Sequence, residues 1–348
     1  MDQGVAAAGF AGDEAAFAEL VEGHRHELRV HCYRMLGSFH DAEDLVQETF
    51  LKAWRKRGTY RAESSVRAWL YKIATNACLD FLGREKRRAT RYVEPPLLES
   101  AAAAGAPPAV AWLEPFPDRL LDPPSRRRNE PEAVAIERET IELALLVAIQ
   151  QLPPRQRAVL ILRDILGWPA SDTAVLLDSS VASVKSALQR ARSALRSQLP
   201  ERRDEWTSRP ELTSVDELAL VRRFVDAHQR ADFEAIAGML ADDVRQTMPP
   251  HPAWLVGRDA LLELTGRVLD PASEWFHGEW RSVITAANRQ PAIASYVQRP
   301  SADETRGLEG GYRAQGLDVI SIRDGKITAI TTFEPRHFAL FDLPLVLP

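Results

Sequence analysis

Asp41-Ala42-Glu43-Asp44-Leu45-Val46-Gln47-Glu48-Thr49-Phe50-Leu51-Lys52-Ala53-Trp54 is the stretch on which the reading of this chain turns. Ala42, Leu45, Val46, Thr49, Ala53 and Trp54 recur at helical spacing and form one apolar stripe. Asp41, Asp44 and Glu48 fall at i, i+3 and i+7 on another side, flanked by Glu43 and Gln47. One face packs, and the other is an acidic patch that either faces water or meets a basic partner.

Upstream, Phe17 to Leu36 reads as one helical stretch, with Phe17, Leu20, Val21, Leu28, Val30 and Met35 as core candidates. Gly37-Ser38 breaks it before the acidic helix. Downstream, residues 58–65 have no period and read as a loop. Val66 to Leu82 is the next helix, burying Val66, Leu70, Ile73, Ala74, Ala77 and Phe81 and leaving Arg67, Lys72 and Asn76 outside the stripe. A loop with Tyr60 and Arg61 before a helix with Lys and Asn can hold single-stranded DNA: cations for phosphates, an aromatic platform, amide edges for bases. The tract Arg84-Glu85-Lys86-Arg87-Arg88 with Arg91 suits phosphates or is a solvated helix end.

Residues 93–133 change character, since their prolines prevent a regular element and give an extended linker. Within it, Trp112-Leu113-Glu114-Pro115-Phe116-Pro117-Asp118 holds two aromatics that a free linker rarely exposes, so it docks on this chain or binds a partner. Glu132 to Leu152 and Arg155 to Leu166 read as helices parted by Pro153-Pro154. Ser171 to Leu177, a turn at Asp178, and Ser180 to about Leu199 then make a helix-turn-helix. Val184, Leu188, Ala191 and Leu195 face inward, and Ser179 or Ser180 is the N-cap. The other side presents Ser183, Lys185, Ser186, Gln189, Arg190 and Arg192. That is the pattern of a recognition helix entering a major groove, or else of a plain bundle surface.

Three segments carry a family resemblance. His31 to Ser38, Asp41 to Thr49 and Arg67 to Asp80, in that order and spacing, closely resemble region 2 of the extracytoplasmic-function sigma factors. Leu152 to Leu160, and on through Arg163-Asp164 to Val184 to Arg192, resemble sigma region 4. Trp168 to Thr173 departs from the family pattern and leaves the start of the first helix of that motif open. The resemblance implies that Asp41, Glu43, Asp44, Gln47 and Glu48 dock on the clamp-helices coiled coil of the RNA polymerase largest subunit, with the polymerase flap as a further contact. It implies that Thr59, Tyr60, Arg61 and Ser64 capture a base of the promoter -10 element, with Arg67, Lys72 and Asn76 facing the melting strand. Ser180, Ser183, Lys185, Ser186, Gln189, Arg190 and Arg192 would read the -35 duplex.

Beyond the connector 201–212, Ser214 with Glu217 is a capping box for a helix from Val215 to Arg230. Phe233 to Leu240 and Asp259 to Leu269 are further helices. Strands follow at Trp280 to Ala286, Ala292 to Val297, Gly316 to Ile322 and Lys326 to Thr332, the last two joined at Asp324-Gly325. Helices followed by a meander suggest an α+β cone with a curved antiparallel sheet. This order resembles SnoaL-like domains of the nuclear-transport-factor-2-like superfold. Asp243, His251, Trp254, Trp275, Tyr296, Arg313 and His337 are candidates for lining its pocket. No His and carboxylate pair has catalytic spacing, so a regulatory role is expected there rather than catalysis. His337 to Pro344 is an apolar tail, expected to dock.

With 348 residues, the chain accommodates about two to three domains. A hydrophobic fraction of 45% and a charged fraction of 27% are those of a globular protein. The net charge of -5 excludes a globally basic nucleic-acid binder, so any DNA surface is local. Cys32 and Cys78 lie in apolar helical patterns without Cys-x-x-Cys or a His cluster, and read as two reduced core thiols, with no metal and no cofactor. Met1 to Glu14 has acidic residues where a signal peptide would be basic, and no apolar run approaches the ~20 residues of a span. The expectation is a cytoplasmic protein without membrane attachment. The sequence thus divides into sigma region 2 (1–92), linker (93–133), region 4 (134–200), connector (201–212) and SnoaL-like domain (213–348). It is expected to bind core polymerase and promoter DNA, with a small-molecule ligand for the last domain left open. The rival is a ligand-controlled helix-turn-helix regulator that acts without polymerase.

Overall fold

The computed structural model describes residues 9–60, 65–85, 113–121, 141–196, 215–249, 251–299 and 311–348. Its contacts divide the chain into two units, residues 1–92 with 119–210, and residues 93–118 with 211–348.

The first unit is helical. The stretch read as one helix from Phe17 to Leu36 is two, α1 (Glu14–Glu22) and α2 (Arg25–Leu36). The break comes at Gly23-His24, where the His24 ring turns back to meet Glu27 Oε1 at 2.5 Å. Helix α2 ends at Gly37, whose φ of 76° only glycine adopts without strain. Helix α3 (Phe39–Lys56) follows, capped by Ser38 Oγ accepting from Asp41 N at 3.1 Å. Ala42, Leu45, Val46, Thr49 and Ala53 are buried as their spacing requires, and Trp54 is half-buried under the Arg57 guanidinium. Helix α4 (Val66–Glu85) buries Leu70, Ile73, Ala74 and Ala77 of its expected stripe and also Tyr71, Thr75 and Cys78, while Val66 and Phe81 at its ends are only half-buried. Cys32 and Cys78 are both buried and free.

The four later helices are α5 (Leu143–Gln150), α6 (Pro154–Leu160), α7 (Ala170–Leu176) and α8 (Val181–Leu195). After α6 the chain widens into one π turn, Ile161–Ile165, closed by Leu166 N donating to Ile161 O. The N-terminal part of the helix expected over Glu132 to Leu152 lies outside the described residues.

Two side chains join the early and late helices of this unit. Helix α2 ends with backbone carbonyls that have no partner within the helix. Gln150 Nε2 donates to Arg34 O at 2.9 Å, and Arg157 Nη1 donates to Met35 O. The buried Arg157 guanidinium also donates to Ile149 O, Gln150 O, Gln150 Oε1 and Leu152 O, so its charge is enclosed by acceptors. A Cβ on Gly37 would stand 3.2 Å from the Gln150 side chain, a second reason for glycine there.

The second unit packs α9 (Val215–Gln229), α10 (Phe233–Met239) and α11 (Arg258–Leu269) on one face of a sheet. The strands are β1 (Leu240–Met248), β2 (His251–Val256), β3 (Glu279–Ala287), β4 (Gln290–Gln298), β5 (Tyr312–Arg323), β6 (Lys326–Phe333) and the short β7 (Val346–Leu347). Their order is β2-β1-β6-β5-β4-β3, with β7 on β5. The four expected strands are present, whereas β1, β2 and the short β7 were not anticipated. The sheet is mixed rather than purely antiparallel, because β1 runs parallel to β6. Leu220, Val221 and Phe224 of α9, with Leu261 of α11, bury against Ile293, Ile320 and Ile330 of the sheet. Each such side chain contributes roughly 1.5–3 kcal/mol. Asp324 and Gly325, at φ 51° and 71°, make the tight turn between β5 and β6.

The linker segment around Phe116 docks on this unit. Phe116 is buried, its N–H donates to Asn288 Oδ1 at 2.8 Å, and Asn288 N donates back to Phe116 O at 2.9 Å. Asn288 and Arg289, at φ 59° and 61°, form the β3–β4 turn, and Arg289 N donates to Asp118 Oδ1. The C-terminal tail docks too: Phe338 meets the Tyr296 ring edge-on at 5.3 Å, and the Tyr296 hydroxyl donates to Pro344 O.

Candidate nucleic-acid interface

The acidic face of α3 is only partly free. Glu43 is paired with Arg29 of α2, and Glu48 with Lys52 at 2.7 Å. Asp44 and Gln47 are exposed, and Asp41 is half-buried. The five residues share one side of a helix whose opposite side is locked into the core, so their register is fixed by burial.

The loop after α3 begins with a short 3₁₀ turn, Arg57–Thr59. Thr59 Oγ1 donates back to Lys56 O, and the Tyr60 ring stands between two aromatics. Phe10 stacks on it at 4.1 Å and 11° between planes, and Trp69 lies 5.5 Å away. The platform expected of Tyr60 exists, but one face is covered by a residue of the chain's own N-terminal segment. Phe10 was not singled out in the sequence, since a lone aromatic before the first helix carries no periodic signal. Arg61, Ser64 and most of the basic tract from Lys86 to Arg91 lie outside the described residues.

On α4, Arg67 and Lys72 are engaged inside the first unit. Arg67 Nε donates to Glu27 Oε2 at 2.6 Å, and its guanidinium lies over the rings of Tyr71 and Trp168. Lys72 Nζ reaches Asp178 Oδ1 at 2.7 Å and Val175 O at 3.3 Å, in the turn of the helix-turn-helix. Burial raises the Glu27 carboxyl, but the hydrogen bond from His24 and the Arg67 charge outweigh it and hold Glu27 below the usual carboxylate range. His31, buried beneath them and bonded to Thr75 Oγ1 at 2.9 Å, is pushed down to about 3 by burial and by Arg34, and stays neutral. Asn76 is half-buried.

Helix α8 matches its expected inner face, with Val184, Leu188, Ala191 and Leu195 buried. Ser180 is the N-cap, its Oγ accepting from Ser183 N at 3.1 Å. Ser183, Lys185, Ser186, Gln189 and Arg190 are exposed on the outer side. Arg192 is held bidentately by Asp164 at 2.6 and 2.8 Å, and that carboxylate, whose side chain is buried, raises its pKa further.

In the second unit a cavity of about 80 Å³, open to solvent on one side, lies between α9, α11 and the inner face of the sheet. Of the seven residues proposed from the sequence, none of the five whose side chains are described lines it. Asp243 and Arg313 are exposed, Tyr296 is spent on Pro344, and His337 is buried against Phe333. Trp275 is half-buried elsewhere, and the side chains of His251 and Trp254 lie outside the described ones. The polar wall consists instead of Asp318, Ser295, Gln246 and His228. Alternation along β5 was the available signal, since it puts Asp318 on the face of Ile320 and Ile322, a carboxylate in an apolar row.

Family models described as Sigma-70 region 2, Sigma-70 region 4 and SnoaL-like domain match residues 20–88, 142–195 and 221–330. The ECF RNA polymerase sigma factor SigG of Mycobacterium tuberculosis is 37% identical over 283 residues, 81% of this chain and 74% of its own. SigW of Bacillus subtilis, described in the same terms, is 31% identical over 189 residues, 54% of this chain and 91% of its own. Among solved structures, the extracytoplasmic function sigma factor SigJ of Mycobacterium tuberculosis superposes with a TM-score of 0.58 at 23% identity, over 94% of this chain and 99% of that one.

Proposed function

As a member of the ECF RNA polymerase sigma factors, with a SnoaL-like domain fused behind regions 2 and 4, this chain acts, we propose, by surfaces rather than by bond chemistry. The acidic face of α3 is the core-polymerase contact through the clamp helices, with Asp44 and Gln47 as its accessible centre. Tyr60 with Arg61, and the α4 residues Arg67, Lys72 and Asn76, hold the opened -10 strand. Ser183, Lys185, Ser186, Gln189 and Arg190 read the -35 duplex, the first turn of α8 at base edges and the cations at phosphates. Arg192 orients α8 through Asp164. The SnoaL-like domain regulates output from within the chain through a small molecule in its cavity, and the protein works in the cytoplasm, where polymerase and promoter meet. Among the described residues, no helix is long and apolar enough to cross a membrane.

The observation that carries this reading is the acidic face of α3 held rigidly outward, which a DNA-binding regulator working without polymerase does not require. Run-off transcription with purified core polymerase tests it: the full chain yields transcripts from a cognate promoter. Asp44→Lys with Glu48→Lys abolishes both core binding and transcripts while leaving the fold intact. A gel shift on promoter DNA without any transcript would instead establish the polymerase-independent regulator.

A further inference from the structure

The cavity of the second unit contains a carboxyl group with no counter-charge among the described residues that line it. Asp318 Oδ1 accepts from Thr332 Oγ1 at 2.6 Å and Oδ2 from Ser295 Oγ at 3.3 Å. Thr332 Oγ1 in turn accepts from Gln246 Nε2 at 3.1 Å. Every donor in this chain is neutral. Among the described residues no Lys or Arg lines the cavity, and the one other titratable group there is His228 of α9. Burial pushes His228 down to about 4, so it is an uncharged ring, set edge-on to Trp280 at 5.4 Å. Burial likewise raises Asp318 to about 6, with the Thr332 and Ser295 hydroxyls holding it from rising further. At neutral pH the carboxylate is therefore mostly ionised in a largely apolar chamber, a state that proteins normally pair with a cation.

The rest of the wall limits the size and character of a partner. Phe224, Leu261, Ile293, Ile320 and Ile330 give it an apolar body, while Asp318 marks one polar end. A dry cavity of about 150 Å³ takes benzene. One of about 80 Å³, open on one side, encloses a smaller body, on the order of three heavy atoms by that comparison, with the remainder of a ligand at the open side.

We propose that this cavity is a binding site for a small aliphatic ammonium ion, its N–H groups donating to Asp318 and its short branched body lying against Ile293, Ile320 and Phe224. The proposal rests on the reading of the cavity as the ligand site of the regulatory domain and names the class of that ligand. Complementing the carboxylate is a task no neutral ligand of the same shape performs. Binding is also tied to pH: the site is charged above the Asp318 value and loses its partner's attraction as pH falls through about 6.

The test uses the full chain with isobutylammonium chloride and isobutanol as probes, read by the methyl NMR signals of Ile293, Ile320 and Ile330. With isobutylammonium at pH 7.5, these signals shift saturably in the millimolar range. Isobutanol, of equal size but uncharged, binds at least tenfold more weakly, and lowering the pH to 5 weakens the amine about tenfold. Asp318→Asn keeps the side-chain shape and erases the preference for the amine. If the alcohol binds as tightly as the amine, the charge-based class is overturned while the cavity remains a ligand site. If neither probe moves the methyls at 100 mM, the ligand-site reading falls with it. Should the Asn variant fail to fold, the comparison of amine with alcohol and of pH 7.5 with pH 5 in the unaltered chain still decides. Polymerase is absent from the experiment, so no outcome touches the assignment of transcription initiation.

Discussion

Helices α4 and α8 both carry basic and amide side chains assigned to promoter DNA, yet they stand in opposite conditions. On α8 the outward residues Lys185, Gln189 and Arg190 are exposed, ready for a duplex. On α4 the residues Arg67 and Lys72 are held by Glu27 and Asp178, and a ring from the N-terminal segment covers Tyr60. The surface proposed for the -35 duplex is preformed, and the surface proposed for the -10 strand is occupied by the chain itself. The difference teaches that the grip between early and late helices of the first unit decides which DNA surface is available.

The largest effect comes from breaking that grip at its buried centre. Arg157→Ala removes the donor for Met35, Ile149, Gln150 and Leu152 carbonyls at once. Leaving several buried acceptors unsatisfied costs about 3 kcal/mol or more. A urea titration of the full chain reads this as an earlier midpoint for the first unit. Arg157→Lys, with a compact ammonium in place of the planar fork, recovers only part of it.

The next effect sharpens the other side of the contrast. Gln189→Ala or Arg190→Ala on α8 costs about 1–3 kcal/mol of -35 duplex affinity if the side chain reads a base edge. Lys185→Ala weakens all duplexes evenly and lowers the salt slope by about 1 if it meets a phosphate. Lys72→Ala leaves duplex binding unchanged if α4 addresses the opened strand as proposed. Electrophoretic mobility shifts at two salt concentrations separate these cases. Ser180→Ala, which removes the cap of α8, costs about 1 kcal/mol of stability without changing the sequence preference.

The two helices also differ in how much of them could be read in advance. The inner face of α8 and the stripe of α3 were legible because periodic burial leaves a period in the sequence, and Ser180 was one of the two serines read as the cap of α8. Gln150 and Arg157 gave no signal, since their partners are backbone carbonyls 116 and 122 residues earlier, and any residue supplies a carbonyl. Strand β1 was missed because Asp242, Asp243 and Arg245 interrupt its apolar alternation, and because its parallel pairing with β6 is a long-range fact. The Asn288-Arg289 turn lacks the glycine that usually marks such turns, and the Phe116 backbone bonded to Asn288 supplies the support that glycine would make unnecessary.

The smallest effect breaks the comparison from the α4 side. Asp178 sits at φ 47°, where Asn is tolerated and Ala is strained, so Asp178→Asn removes the carboxylate charge that pairs with Lys72 without disturbing the turn. The pair is open to solvent, with side chains 36% and 71% exposed, so it contributes no more than about 1 kcal/mol and is weakened by salt. Lys72 released from Asp178 still has the Val175 carbonyl as a neutral acceptor, which a phosphate outcompetes. The variant should therefore bind a single-stranded -10 oligonucleotide up to about fivefold more tightly at low salt, the factor that ~1 kcal/mol sets. The gain should vanish near 1 M salt, where screening acts over about 3 Å. Fluorescence anisotropy of the labelled strand measures both. Equal affinity for the two proteins at low salt would mean that Lys72 is not restrained by Asp178 or does not meet the strand, and α4 would then lose its place opposite α8.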